Sequence, residues 1–384
     1  MSDIALSKSK SQPWGSEPID LGIGRPDFRL LPLAELQQAA AHRCSLADTT
    51  CLQYASEASG SPSLRGHLAD FLIRHYGSVV RPERLFITAG ASHGLDLISG
   101  RFAQPGDTVF VEAPTYFLAL KLFQARNLRI VSVPTDAEGV DVVALEHLLE
   151  VEKPAFLYTI PIHHNPTSVT LSVARRRKLV ELAEKHEFFI VADEVYQLLN
   201  YEGETPIPFA ALDNSRVFSL GSFSKILGPG LRLGWIETEP EHFSILSQCG
   251  VIQSGGGINP FTSAIVESAI TLGLQDAYLA RIREVYRHRC AHMIQVLDDV
   301  LPRTVSFTKP KGGFFLWLKL PQSINSNDLL TEAHAFKIGF RPGTLFSPEK
   351  DFTNFLRISF TYYNETELEW GCKQLGHLLA SHLR

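Results

Sequence analysis

The stretch "SFSKILGPGLRLGW", Ser222 to Trp235, sets one lysine, Lys225, among small residues, with Arg232 seven positions further on. Small neighbours leave room for a ligand around the amine, and an arginine close by suits a bound anion. Ser222 and Lys225 also form the S-x-x-K pair of serine acyl-enzymes, whose chemistry calls for S-D-N and K-T-G elements as well. Neither element occurs, and Lys311-Gly312-Gly313 is only a partial echo. A different set of polar residues gives the lysine company. Asp193 closes "FFIVAD" and Tyr196 follows it. Asn165 lies in the turn after "FLYTIP", and Gly90, Ala91 and Ser92 follow "RLFIT". Tyr116 follows "VFVEAPT", and Ser222, Ser224 and Lys225 follow "RVFSLG".

Each of these residues stands just beyond a short apolar run, and such runs suit buried parallel strands. Seven of them occur, Arg84–Gly90, Thr108–Pro114, Leu128–Pro134, Ala155–Pro161, Phe188–Glu194, Arg216–Ser222 and Leu231–Glu237. Helical stretches such as Ser172–Glu187 lie between several of them, with apolar positions on one face. This alternation predicts an α/β fold whose sheet is mostly parallel, seven-stranded and covered by helices on both faces. Ligands of open α/β sheets bind beyond the carboxyl ends of the strands. The acid, the lysine, the hydroxyls, the amide and the aromatic ring are therefore expected to meet at one sheet edge. After about Ile258 the texture changes to a long helix over Tyr278–Leu301, strands over Gly312–Leu320 and Phe355–Tyr363, and a final amphipathic helix.

The 384 residues are enough for a large and a smaller domain sharing a core. With 45% hydrophobic and 20% charged residues, global disorder is excluded. A net charge of −5 argues against nucleic acid as a partner. Cys44, Cys51, Cys249, Cys290 and Cys372 are scattered and never paired as C-x-x-C, which predicts reduced thiols in a cytoplasmic protein without a metal site. No apolar run is long enough to cross a membrane, and residues 1–18 form a polar arm.

The chain resembles the fold-type I enzymes that use pyridoxal 5′-phosphate (PLP), specifically the class I/II aminotransferases. It looks closest to the branch of 2-aminoadipate and kynurenine aminotransferases. The shared landmarks are "LQYASEASGSPSLR", "ITAGASHGLD", "EAPTY", "FLYTIP" with "NPT", "ADEVY", "SFSK…GLRLGW", "GGFFLW" and "LRISF", in that order from about Ile19 to the C-terminus. The resemblance implies a small α+β domain made of residues 19–45 and 281–384 around a large domain of residues 46–280. Lys225 would form a Schiff base with the cofactor and then act as general base and acid. Asp193 would keep the pyridine nitrogen protonated, although an aspartate before a helix also suits an N-cap. Asn165 and Tyr196 would hydrogen-bond the cofactor's phenolic oxygen. Gly90, Ala91, Ser92, Ser222, Ser224 and Arg232 would hold the phosphate. Ala91 stands where related enzymes often carry serine. Tyr116 would stack on the ring, and Tyr54 would reach the phosphate of a neighbouring subunit in a homodimer. Arg357, with Asn165 and Gly24, would receive the α-carboxylate of an L-amino acid or a 2-oxo acid, the segment around Gly24 closing as a lid.

Two departures stand out. Related enzymes carry "NPTG", and here Ser168 replaces the glycine. His163 and His164 precede the asparagine, either as plain loop residues or as part of the substrate entrance, with no carboxylate nearby in sequence to make a metal site. Arg25 could meet an acidic substrate side chain or pair with Asp27 at the surface. Other PLP reactions use the same lysine, aspartate and phosphate cup, and aminotransferase-like regulators place this domain behind a basic DNA-binding module.

Overall fold

The computed structural model describes residues 18–212, 215–255 and 258–382. The polar arm, apart from residue 18, lies outside the described residues, as do Gly256 and Gly257. The apolar runs become strands β1 (Leu85–Thr88), β2 (Thr108–Ala113), β3 (Arg129–Asp136), β5 (Phe156–Thr159), β6 (Phe189–Asp193), β7 (Val217–Ser222) and β8 (Gly234–Glu237). An eighth, β4 (Gly139–Val140), adds a two-residue hairpin to β3. The sheet order is β1-β8-β7-β6-β5-β2-β3-β4. Two residues are too few to show any periodicity, which is why seven strands were expected and eight are found.

From β7 to β3 all neighbours run parallel. β8 is antiparallel to both β7 and β1, against the expectation for that run. The short link between β7 and β8 holds no crossover helix, and a parallel return needs one. Alternate residues of β2 serve opposite faces: Val109 and Val111 join one apolar cluster and Phe110 the other. Both faces of the sheet are thus buried, as its continuous apolar strands require.

One helix opens at the site and another links β5 to β6. α1 (Ala91–Phe102) begins at Gly90, whose φ of +87° is open to glycine and strained for other residues. Nothing caps its first turn with a side chain. α2 (Val173–His186) starts at Ser172, whose hydroxyl accepts from the Arg175 amide, and stops at the left-handed Glu187. Beyond the large sheet, α3 (Leu274–Val300) packs against α4 (Glu365–His382). They accompany an antiparallel sheet of β9 (Ser306–Phe307), β10 (Phe315–Lys319), β11 (Arg341–Pro342) and β12 (Phe355–Ser359), in the order β9-β10-β12-β11. The N-terminal residues Ile19–Asp20 pair in parallel with Ile338–Gly339, so the segment that follows them runs beside this small sheet.

Candidate active site

A cavity of about 530 Å³ opens where β6, β7 and α1 end or begin, and the small sheet and residues 22–25 close it from the other side. Gly24, Ala91, Ser92, Tyr116, Asn165, Asp193, Tyr196, Ser222, Ser224, Lys225, Arg232 and Arg357 all line it. Gly90 stands immediately behind Arg232. Tyr54 does not reach the cavity. It is 80% exposed and lines a separate surface groove with Gly255.

Lys225 follows β7. Its Nζ donates to the Gly24 carbonyl at 3.2 Å and lies 5.4 Å from the centre of the Phe314 ring. One side of the amine faces the cavity and protein surrounds the rest, so part of its surface stays open. Burial pushes its pKa down to about 8, helped by the Arg357 charge and opposed by Asp193. Asp193 ends β6 and is 7% exposed. Its Oδ2 accepts from the Tyr158 hydroxyl at 2.8 Å, while Oδ1 has no hydrogen-bond partner. Burial raises its pKa against the pull of Tyr158 and Lys225. A turn and not a helix follows it, and the Val195 amide at that turn reaches back to the carboxylate.

Arg357 extends from β12 and is 3% exposed, not solvated. Nη1 donates to Asn165 Oδ1 at 2.7 Å and Nη2 to the Gly22 carbonyl at 3.0 Å, while Nε has no partner. The guanidinium lies 4.0 Å from the centre of the Phe315 ring. No carboxylate pairs with it among the described residues. Burial lowers its pKa to about 10, a sign that this cation is underpaired. At the opposite wall, Arg232 donates to the carbonyls of Ala89 at 3.0 Å and Pro229 at 3.1 Å, again with no carboxylate partner among the described residues. Ser222 accepts from the Ser224 amide at 3.1 Å beside it. Tyr196 packs on Phe314 and Phe315, and burial raises its pKa, as burial raises that of Tyr116 to about 12.

The family model for aminotransferases of class I and II matches residues 16–375. The chain belongs to that family. An aromatic-amino-acid aminotransferase of Thermococcus litoralis is 34% identical, covering 96% of this chain and 89% of its own length. A 2-aminoadipate transaminase of Thermus thermophilus is 33% identical over 94% of this chain and 89% of its own. The crystal structure of a kynurenine aminotransferase of Pyrococcus horikoshii, in complex with PMP, superposes with a TM-score of 0.90 at 32% identity, covering 96% and 92% of the two chains. The chain is thus a fold-type I aminotransferase, and the cofactor of this family is PLP.

The residues present fit that group. An unpartnered buried carboxylate oxygen on Asp193, an amine that opens to the cavity, and an uncapped helix start beside an arginine with no carboxylate partner suit its ring nitrogen, aldehyde and phosphate, and the underpaired Arg357 suits the carboxylate of a substrate.

Several expectations need correction. Arg25 does not pair with Asp27, which is fully buried between Arg29 and Arg289. Arg25 lines the cavity and lies over the Tyr362 ring at 5.0 Å. His163 and His164 do not line the cavity; both are buried beside it. A carboxylate does lie near them, since Glu112 comes within 3.1 Å of His164 Nε2. No group of three metal-ligating side chains exists among the described residues. Three contributors were missed. Tyr158 orients Asp193, Phe315 lies against Arg357, and Arg341, opposite Arg357 across β11 and β12, forms a two-pronged ion pair with Asp20 at the cavity wall. The "GGFFLW" landmark holds Phe315 and the "FLYTIP" landmark holds Tyr158; nothing local in sequence marks Arg341.

Proposed function

We propose that this aminotransferase moves the amino group of an aromatic or 2-aminoadipate-like L-amino acid to 2-oxoglutarate or a similar 2-oxo acid, with Lys225 as the attachment and proton-transfer group. The observation that carries the reading is convergence. Lys225 just beyond β7, Asp193 at the end of β6 and Arg357 in the middle of β12 face one cavity, each with bonding capacity left unused. When bound, PLP supplies an aldehyde for amines to condense with and a ring that draws electrons from the substrate's α-carbon.

With PLP bound, Lys225 Nζ would be the group that takes the proton from the substrate Cα and returns it, since the amine faces the cavity. A pKa of about 8 lets it serve as acid and as base near neutral pH. Asp193, oriented by the Tyr158 hydroxyl on Oδ2, would offer Oδ1 to the ring nitrogen and keep a proton there. Asn165 spends its Oδ1 on Arg357, which leaves its amide N–H for the phenolic oxygen, with the Tyr196 hydroxyl as second donor. The amides of Gly90, Ala91 and Ser92, the hydroxyls of Ser222 and Ser224, and Arg232 would hold the phosphate, and Tyr116 would cover the ring. Arg357 and Asn165 receive the α-carboxylate under Gly24, where a Cβ would strike Phe315 at 2.7 Å. Ile23, Tyr116, Phe117 and Leu118 offer an apolar wall for an aromatic side chain, and Arg25 a charge for a distal carboxylate.

We assign residues 19–45 and 281–384 to the small domain and 46–280 to the large, in keeping with the pairing of Ile19–Asp20 with Ile338–Gly339. The exposed Tyr54 fits a homodimer in which it reaches the partner's phosphate. All five cysteines are unpaired, as suits the cytoplasm, and no helix among the described residues is long and apolar enough to cross a membrane.

The test is a visible spectrum of purified protein with PLP, taken before and after a panel of L-amino acids, with product analysis. We expect a yellow form that an aromatic or 2-aminoadipate-like amino acid bleaches and a 2-oxo acid restores, and no turnover from Lys225→Ala. Release of pyruvate and ammonia, or of carbon dioxide, while the yellow form persists would replace transamination with a lyase or decarboxylase reaction. Normal turnover by Lys225→Ala would remove the lysine from the chemistry.

A further inference from the structure

We propose that Ser168 is a positioning residue that sets the grip on the substrate's α-carboxylate. The inference rests on the reading of Arg357 and Asn165 given above. Ser168 follows Asn165 in a turn closed on itself: the Ser168 amide donates to the His164 carbonyl at 2.6 Å, and the His164 amide donates to the Val169 carbonyl at 2.9 Å. The turn is rigid within itself, so its orientation against the small sheet depends on bonds that leave it. Among the described residues, two side-chain hydrogen bonds join it to the strands of that sheet. Arg357 donates to Asn165 Oδ1, and Ser168 Oγ donates to the Phe315 carbonyl at 2.5 Å.

The second bond bears on the first through Phe315. Its carbonyl is held by Ser168, and its ring lies 4.0 Å from the Arg357 guanidinium and packs on Tyr196. Fixing the Phe315 backbone therefore fixes the ring against which Arg357 rests, while fixing the turn fixes Asn165. Ser168 ties together the two residues that would share the carboxylate, and it does so from outside the cavity, touching neither substrate nor cofactor.

The backbone supports a positive role for the hydroxyl. Ser168 has φ +62°, the left-handed region that favours glycine. A buried serine in that conformation carries strain that glycine would not. The hydroxyl's bond across to β10 is what the strained residue provides in return.

The experiment compares Ser168→Gly, Ser168→Ala and Arg357→Lys, each in the PLP-loaded enzyme, for KM, kcat, visible spectrum and thermal midpoint. Ser168→Gly removes the hydroxyl and relieves the backbone, whereas Ser168→Ala removes the hydroxyl and keeps the strain. We expect both to raise KM for amino acid and for 2-oxo acid about 3- to 10-fold, the range of one net hydrogen bond, with kcat and spectrum little changed. Their thermal midpoints should differ, glycine above alanine, which a purely structural role would mirror in KM. Wild-type KM for Ser168→Gly alongside a raised KM for Arg357→Lys would overturn the proposal and leave the carboxylate site standing. Wild-type KM for Arg357→Lys would overturn the site reading and the proposal with it.

Discussion

Replacing Gly90 by alanine should weaken PLP binding as well as the fold, by comparable amounts. The backbone of Gly90, at φ +87° and ψ 167°, lies in a region reserved almost entirely for glycine, which costs alanine about 1–3 kcal/mol. A Cβ there would also lie 2.8 Å from Arg232 Nη2, closer than real contacts allow, and a tight 3.3 Å from its Cζ. Arg232 is anchored by the Ala89 and Pro229 carbonyls, so it cannot yield without giving up bonds near the first turn of α1. If it moves off the phosphate, the loss is that of a charged hydrogen bond, about 1.5–3 kcal/mol. That corresponds to an increase of about 10- to 100-fold in the PLP dissociation constant. Titration of apoenzyme with PLP, followed by visible absorption, measures the affinity; melting of the apoenzyme measures the strain, expected at about 2–6 °C. Arg232→Gln leaves the Gly90 backbone alone and should reproduce the affinity loss without the melting loss. An unchanged dissociation constant for Gly90→Ala, whatever its melting point, would place the phosphate elsewhere.

Asp193→Asn keeps size and removes charge, so it should lower kcat by about 100-fold or more while PLP still binds; turnover near wild type would remove Asp193 from the chemistry. The folded-state pKa of Lys225, about 8, lies below its ordinary 10.5, so the neutral amine grows in as pH rises through 8. The rate at which apoenzyme links PLP should rise to a plateau above that pH, and Arg357→Gln should move the midpoint upward; a midpoint near 10.5 would contradict the burial argument. The same depression penalises folding in full below pH 8 and fades toward 10.5, so denaturant melts of the apoenzyme should show stability gained, not lost, across that window.

The large sheet was legible because β5, β6 and β7 are buried on both faces and so are written as unbroken apolar runs. A polar residue directly after such a run stands out, and this exposed Asp193, Asn165 and Lys225 to sequence reasoning. The direction of β8 was not legible, since an apolar run looks alike either way and the short link to β7 decides it. Arg341 was missed because its place opposite Arg357 comes from strand pairing, not from spacing. Asp27 sits beside Arg25 in sequence, yet its partner Arg289 is 262 positions away. His164 found a carboxylate because the parallel strands β2 and β5 bring Glu112 beneath its turn.

The segment above the cavity is fastened at both ends to one body. Ile19–Asp20 pair with Ile338–Gly339, the Leu21 carbonyl accepts from the Ser359 amide at 2.7 Å, and Asp27 is held by Arg289 of α3 at 2.9 Å. Its carbonyls at Gly22 and Arg25 accept from Arg357 and Thr361 of the same body. A strip pinned in this way does not swing as a free loop does. Any movement that lifts Gly24 from Lys225 carries the small sheet and its helices along. Access to the lysine is then expected to follow hinge motion, which runs on the microsecond-to-millisecond scale, and not nanosecond loop motion.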